Sequence, residues 1–168
     1  MQLELGSRSL VGPAPRLRSL PHAPDKEREM LGAIILDNLL MIQVNDLLKP
    51  EDFYIVSHQL IFRTMIALNK RNEEINPITI GEDLPKEGLL EQVGVISFIS
   101  QLTYGLPHVA NIPHHARFIR GKTLLRQFIT WTTKLVNEAR DEEDEPGVVL
   151  KHVEQSISAL TREFMEAY

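Results

Sequence analysis

The stretch ARFIRGKT (Ala116–Thr123) has the spacing of a phosphate-binding loop: a small residue, four spacers, then Gly-Lys-Thr. Such a loop curls its backbone N–H groups around phosphates, and it needs a buried strand before it and a helix after it. The residues before it, HVANIPHH, instead hold a proline and three histidines, and the four spacers are bulky and in phase with a helix. We therefore interpret the stretch as part of a long helix, and a nucleoside triphosphatase is the least favoured function.

Other side chains that could do chemistry also favour structural roles. Metal ligation needs convergent ligands, usually with a carboxylate or thiol among them. Three histidines cluster in the sequence, namely His108, His114 and His115, but no carboxylate or thiol lies within one helical turn of them. Glu51 and Asp52 are adjacent in a turn, so their side chains diverge, whereas a catalytic carboxylate pair must converge on one bond. His58 is interpreted as a packing or capping residue. The sequence thus predicts no catalytic residue, no metal and no cofactor.

Composition sets further limits. The chain has 168 residues, a net charge of −5 and no cysteine, which excludes disulfides and thiol chemistry and suits a reducing compartment such as the cytoplasm. The acidic balance argues against a dedicated nucleic-acid binder. Locally, four cations lie within ten residues, and they indicate either a solvated face or contact with an acidic partner: Arg117, Arg120, Lys122 and Arg126.

Hydrophobic periodicity predicts an all-α fold, with a small helical bundle followed by a long antiparallel helical hairpin. Residues 1–24, with four prolines, are expected to form a flexible leader, residues 25–104 the bundle and residues 105–168 the hairpin. The long helix should span about 112–140, and an acidic turn over 141–145 should lead into the last helix. Predicted helix caps are Asp25, Ser57, Asn76 and Asn111.

A lone hairpin cannot bury both sides of its apolar seam, so it needs the bundle or another copy of itself. The sequence predicts a self-association or partner interface on the two hairpin helices, formed by Ile119, Leu125, Phe128, Ile129, Leu135, Val153, Ile157, Leu160 and Phe164. Several of these residues could instead pack inside their own chain.

The chain also resembles the N-terminal domain of DnaB-type replicative DNA helicases. The resemblance covers about residues 21–165, and its most specific part is LLKPEDFY followed by His58; the other matching stretches are EREMLGAIILD, INPITIGEDL and ANIPHHARFIRGKTLLRQFI. It implies an all-helical bundle with a hairpin that pairs with a second copy, giving a dimer or a trimer of dimers in a collar above the ATPase ring.

The resemblance also implies partners: a DnaG-type primase and a helicase loader, docked largely through the hairpin. DNA and ATP would be handled only through the C-terminal domain of the family, which is not part of this sequence, so we expect no enzymatic activity from this chain alone. Two alternatives stay open, namely a free-standing regulator that binds or caps a helicase ring, and a DNA-binding module that uses the four cations.

Gly121 gives a direct test of the helical interpretation. A glycine inside a helix costs about 1 kcal/mol relative to alanine, so Gly121→Ala should raise the free energy of unfolding and the melting temperature. Thermal unfolding followed by circular dichroism measures the change, and a lower melting temperature would contradict the interpretation.

Overall fold

The computed structural model describes residues 19–84, 92–106, 111–140 and 145–167. Within these ranges the chain forms seven α-helices and one 3₁₀ turn, and no strand, which confirms the all-α prediction. The helices are α1 (Pro24–Leu36), α2 (Leu40–Val44), α3 (Val56–Lys70), α4 (Pro77–Asp83), α5 (Gln92–Gln101), α6 (Ile112–Arg140) and α7 (Pro146–Ala167), and the 3₁₀ turn is Pro50–Asp52.

One apolar core joins the helices of the bundle. Its largest buried side chains come from α1, α3 and the segments between helices, including Met30, Phe53, Phe62 and Met65. The first turns of α6 enter the same core through Ile112, Ala116 and Ile119, and α6 packs against α1 and α2. Because the core extends past residue 105, α6 belongs to the bundle along its first part and to the hairpin along the rest.

The ends of the helices follow the capping rules in part. Asn76 accepts hydrogen bonds from the backbone N–H groups of Ile78 and Thr79 at the start of α4, and Asn111 accepts one from His114 at the start of α6. Both predicted caps are confirmed.

The other two predicted caps are wrong. α1 begins at Pro24, whose fixed φ suits the first helical position, so Asp25 lies inside the first turn. Ser57 is the second residue of α3, because the apolar residue before the helix, Ile55, already takes the extended backbone of a cap. The side chain that binds the backbone there comes instead from α1.

The turn after α5 packs closely on α1. Gly105 in that turn has a φ of +65°, a left-handed conformation that glycine adopts at little cost. On α1, a Cβ atom at Gly32 would lie 2.3 Å from the backbone oxygen of Leu102 and 2.4 Å from a methyl carbon of Leu106. Glycine at position 32 therefore allows this close approach.

None of the described helices is long and apolar enough to cross a membrane.

Gly32→Ala should lower the free energy of unfolding by about 1–3 kcal/mol, because a backbone oxygen cannot easily move away from the added carbon. Gly147→Ala is the matched control: it adds the same methyl group within α7 where nothing lies within 4 Å, and it should be neutral or slightly stabilising. Urea denaturation of both variants measures the difference. Equal stability of Gly32→Ala and the unchanged chain would contradict the packing.

Candidate interaction surface of the hairpin

The stretch ARFIRGKT lies wholly within α6. Ala116 and Thr123 face the core and are buried, and the Lys122 ammonium sits over the Phe118 ring, 5.0 Å from its centroid. The helical interpretation is confirmed, because a backbone committed to helix hydrogen bonds cannot curl its N–H groups around a phosphate.

A buried carboxylate ties α1 to the start of α3. Glu27, on α1, is 1% exposed, and it accepts the backbone N–H groups of Tyr54 and Ile55 at 2.7 and 3.3 Å. The Nδ1 atom of buried His58 lies 3.0 Å from the same carboxylate. His58 therefore helps to hold the first turn of α1 against α3, which agrees with its interpretation as a packing residue.

A second buried carboxylate ties the 3₁₀ turn to α6. One oxygen of Asp52 accepts the backbone N–H of Lys49, which closes the turn, and the other accepts a hydrogen bond from the Arg120 guanidinium at 2.6 Å. The backbone oxygen of Asp52 accepts from the Thr123 hydroxyl and from Arg126, at 2.8 and 2.7 Å. Glu51 instead points outward to exposed Arg63, at 3.0 Å, so the two adjacent acids diverge as predicted.

The four cations that indicated either a solvated face or contact with an acidic partner do not form one face. Arg120 and Arg126 point into the Asp52 network, and Arg126 also donates to the backbone oxygen of Pro21. Burial lowers the pKa of the Arg126 guanidinium, and the nearby carboxylates oppose that shift. Arg117 is exposed and Lys122 is half-buried beside Phe118. Two of the four cations thus take part in internal structure and two lie at the surface. This division argues against a continuous nucleic-acid contact formed by all four.

Two of the three clustered histidines lie among the described residues. The Nδ1 atom of His115 lies 3.4 Å from a carboxylate oxygen of Glu29, but the geometry does not give a hydrogen bond and Nδ1 has no other partner. Burial lowers the pKa of His115, and the charge of Lys26 lowers it further. The neutral form of the imidazole is therefore favoured there. No group of metal-binding side chains occurs among the described residues; His108 lies outside them.

Beyond residue 124, α6 leaves the core and its apolar side chains become accessible. Leu125 is 50% exposed and Phe128 is 49% exposed, with Ile129, Trp131 and Val136 exposed nearby. On α7, Ile157 is 52% exposed, and Leu150 and Met165 are exposed as well. We call these α6 and α7 side chains the hairpin apolar surface: Leu125, Phe128, Ile129, Trp131, Val136, Leu150, Ile157 and Met165.

The structure describes the side chains of seven of the nine predicted interface residues, and these seven fall into three groups. Leu125, Phe128, Ile129 and Ile157 belong to the hairpin apolar surface, and Leu135 and Val153 are half-buried where α6 and α7 pack together. Ile119 is 1% exposed in the core of its own chain, so its side chain cannot reach a second molecule. The side chains of Leu160 and Phe164 lie outside the described residues.

Sequence reasoning missed several functional and structural residues. Glu27 shares helical spacing with Met30, Leu31 and Ile34, so an acid in the apolar phase of α1 was a detectable sign of a buried carboxylate. Leu150 and Met165 were not among the predicted interface residues, although their spacing places them close to the face of Val153 and Ile157. Both are exposed on α7.

Comparisons with known proteins agree with this architecture. The family model described as the DnaB-like helicase N terminal domain matches residues 19–121. Replicative DNA helicase DnaB of Geobacillus stearothermophilus is 31% identical over 84% of this chain and 31% of its own length. The corresponding protein of Rhodothermus marinus is 36% identical over 84% of this chain and 15% of its own length.

Solved structures share the fold. The N-terminal domain of DnaB helicase from Mycobacterium tuberculosis superposes with a TM-score of 0.74 at 25% identity, over 83% of this chain and 99% of that one. The N-terminal domain of DnaB helicase from Helicobacter pylori, described with its interactions with primase, gives a TM-score of 0.59 at 22% identity, over 69% of this chain and 90% of that one. The second likeness concerns the fold alone.

Glu27→Gln tests the buried carboxylate. The amide keeps the shape but removes the charge, and its NH₂ group would face a donor, so we expect a loss of about 2–4 kcal/mol in the free energy of unfolding. Glu51→Gln is the matched control, because the exposed pair with Arg63 should contribute less than about 1 kcal/mol. Urea denaturation of both variants measures the changes. Losses of equal size would show that the Glu27 carboxylate has no special part in the fold.

Proposed function

The chain belongs to the DnaB-like helicase N-terminal domain family, and from that premise we propose that it is the assembly and docking domain of a replicative helicase. The observation that carries the proposal is the hairpin apolar surface. Leu125 and Phe128 lie side by side on α6, next to Ile129, and all three are accessible. Contiguous apolar side chains in water mark a surface that another protein covers.

Self-association is the first part of the proposal. Two copies of a hairpin can bury the same surface against each other, which is the self-complementary contact of a two-fold dimer. Phe128 lies seven residues before Leu135 on α6, and Ile157 lies four residues after Val153 on α7, so each pair shares one face of its helix. Leu135 and Val153 are half-buried while Phe128 and Ile157 remain about half exposed. The apolar face that α6 and α7 share is therefore still accessible for pairing, and pairs would combine into the larger collar of a hexamer.

Docking of replication partners is the second part. The Helicobacter pylori structure and a further DnaB-like replicative helicase structure are both described with their interactions with primase. We propose that the present chain likewise binds a primase, of the DnaG type. We propose a helicase loader as a second partner. Side chains of the hairpin apolar surface that pairing leaves accessible are the natural contacts, since interfaces favour aromatic residues such as Phe128 and Trp131.

The helicase reaction itself would belong to the rest of such a protein. The chain spans about a third of the length of the Geobacillus stearothermophilus relative, and the part it matches is the N-terminal domain. Hydrolysis of ATP and movement along DNA are therefore proposed for the remainder, while this domain contributes contacts rather than chemistry.

Phe128→Asp tests the assembly role. A charge at the centre of the apolar surface should weaken self-association at least tenfold, measured as a dissociation constant by sedimentation equilibrium, with circular dichroism unchanged because the side chain lies outside the core. Ile157→Asp should act in the same way from α7. Ile78→Asp, at an exposed apolar position of α4, is the control and should leave the constant unchanged.

The proposal fails if the unchanged chain stays monomeric at high concentration, or if the control weakens association as much as Phe128→Asp does. Unfolding of both hairpin variants would also contradict it, because these side chains would then hold their own chain together.

A further inference from the structure

A polar groove lies at the base of the hairpin, where α6 leaves the core. It has a volume of about 570 Å³, which is within the range of roughly 300–1,000 Å³ that is typical of small-molecule sites. It is lined by the segment around the 3₁₀ turn, including Lys49, by α6 between Arg120 and Trp131, and by Leu20. We call it the basal groove.

The basal groove and most of the hairpin apolar surface occupy different sides of α6. The α6 residues of the groove that follow Arg120 have the spacing i, i+3, i+4, i+7 and i+8, which places them on one face: Thr123, Arg126, Gln127, Thr130 and Trp131. At about 100° per residue, Phe128 lies about 140° around the helix from Thr123, and Trp131 lies between the two faces. A ligand in the groove and a protein on the Phe128 side can therefore bind at the same time.

The positive charge of the basal groove exceeds its negative charge. Buried Asp52 is neutralised by Arg120. Glu51 pairs with Arg63, which lies outside the groove. Lys49 is exposed, and no carboxylate of the described residues pairs with its ammonium group. One cation of the groove is therefore available to an anionic ligand.

Arg126 is a second cation without a carboxylate partner. Its guanidinium donates to the backbone oxygens of Pro21 and Asp52 and to the Thr123 hydroxyl, at 3.0, 2.7 and 2.9 Å. All three acceptors are neutral, and three bonds do not use all five N–H groups of an arginine. Burial lowers the pKa of this guanidinium, and an anion beside it would offset that cost.

Trp131 gives the basal groove an aromatic surface. Its side chain is 36% exposed, and Leu20, which also lines the groove, is 39% exposed. Planar heterocycles stack on aromatic side chains, and every nucleic-acid base can do so because each has a π-face. Gln127 and Thr130 add an amide and a hydroxyl to the groove, and these groups can bond to the nitrogen and oxygen atoms of such a ring.

We propose that the basal groove binds a small organic phosphate that carries a planar ring, of which the nucleoside monophosphates are the simplest class. A phosphate monoester carries about 1.5 to 2 negative charges at neutral pH, which Lys49 and Arg126 together match, and the ring stacks on Trp131. Two cations fit one phosphate group, whereas the net charge of −5 disfavours a long nucleic acid. The site goes beyond the proposed docking function, which needs no small ligand.

Trp131 reports binding directly, because it is the only tryptophan of the chain. Ribonucleoside monophosphates with each common base are titrated into the unchanged chain, and isothermal titration calorimetry gives the dissociation constants. We expect at least one nucleotide to quench the Trp131 fluorescence saturably. Its nucleoside alone and inorganic phosphate alone should each bind at least about fivefold more weakly, because each makes only part of the contacts.

Two variants assign the contacts. Lys49→Ala should weaken binding about threefold to fivefold by removing an exposed cation. Trp131→Leu should weaken it at least about fivefold, because it removes the stacking surface and keeps an apolar side chain. Lys70→Ala and Tyr104→Ala are the matched controls: they remove an exposed cation and an exposed ring outside the groove, and they should leave the dissociation constant unchanged. Circular dichroism verifies that all variants are folded.

Several outcomes would overturn the proposal. One is the absence of binding by every nucleotide at millimolar concentrations, and another is equal affinity for inorganic phosphate, which would leave the ring without a site. Unchanged affinity of both Lys49→Ala and Trp131→Leu would place the ligand elsewhere. Binding of a single-stranded oligonucleotide at least about tenfold tighter than any mononucleotide would indicate a nucleic-acid surface instead. Sedimentation without nucleotide measures self-association separately, so failure here and failure of the proposed function are distinguishable.

Discussion

The fold depends on two buried carboxylates that fix one segment between α1 and α6. Glu27 reaches from α1 to the backbone at Tyr54 and Ile55 and to His58. Asp52 reaches from the segment itself to Arg120. A buried carboxylate without partners costs several kcal/mol, whereas one that several donors satisfy is tolerated and gives directional contacts. Residues 50–58 are therefore held from both sides, and the helices around them are fixed in relation to one another.

This arrangement explains how one long helix, α6, can pack in the core along its first part and project from the core along the rest. Ile112, Ala116 and Ile119 are packed in the bundle, and the bonds from Arg120, Thr123 and Arg126 to Asp52 hold α6 where it leaves the core. From residue 124, where it leaves the core, α6 continues to Arg140, which is about 24 Å at 1.5 Å per residue. Because its base is held by polar bonds with defined geometry, the exposed surface beyond it is presented in a fixed direction.

Periodicity and capping rules predicted the helical fold, the bounds of α6 and the caps Asn76 and Asn111, because these features depend on neighbours in the chain. Ser57 failed as a cap because Ile55, two residues earlier, takes the extended backbone of the cap. The side chain that binds the backbone just before α3 is Glu27 of α1, which local spacing could not predict. Arg120 and Arg126 were predicted as surface cations, and only the tertiary position of Asp52 turns them inward. Ile119 shares its spacing with exposed hairpin residues, so periodicity alone could not separate the part of α6 that enters the core.

The two parts of α6 are thus under different constraints. In the inner part Ile112, Ala116 and Ile119 pack in the core. Arg120 and Thr123 bind Asp52. A substitution at these positions therefore changes the free energy of unfolding before it changes any contact with another molecule. In the outer part Leu125 and Phe128 are about half exposed, and a substitution there costs the chain little while it alters the surface that a second protein would meet. A domain built in this way can change its contacts through the outer hairpin without disturbing the Glu27 and Asp52 networks on which its fold depends.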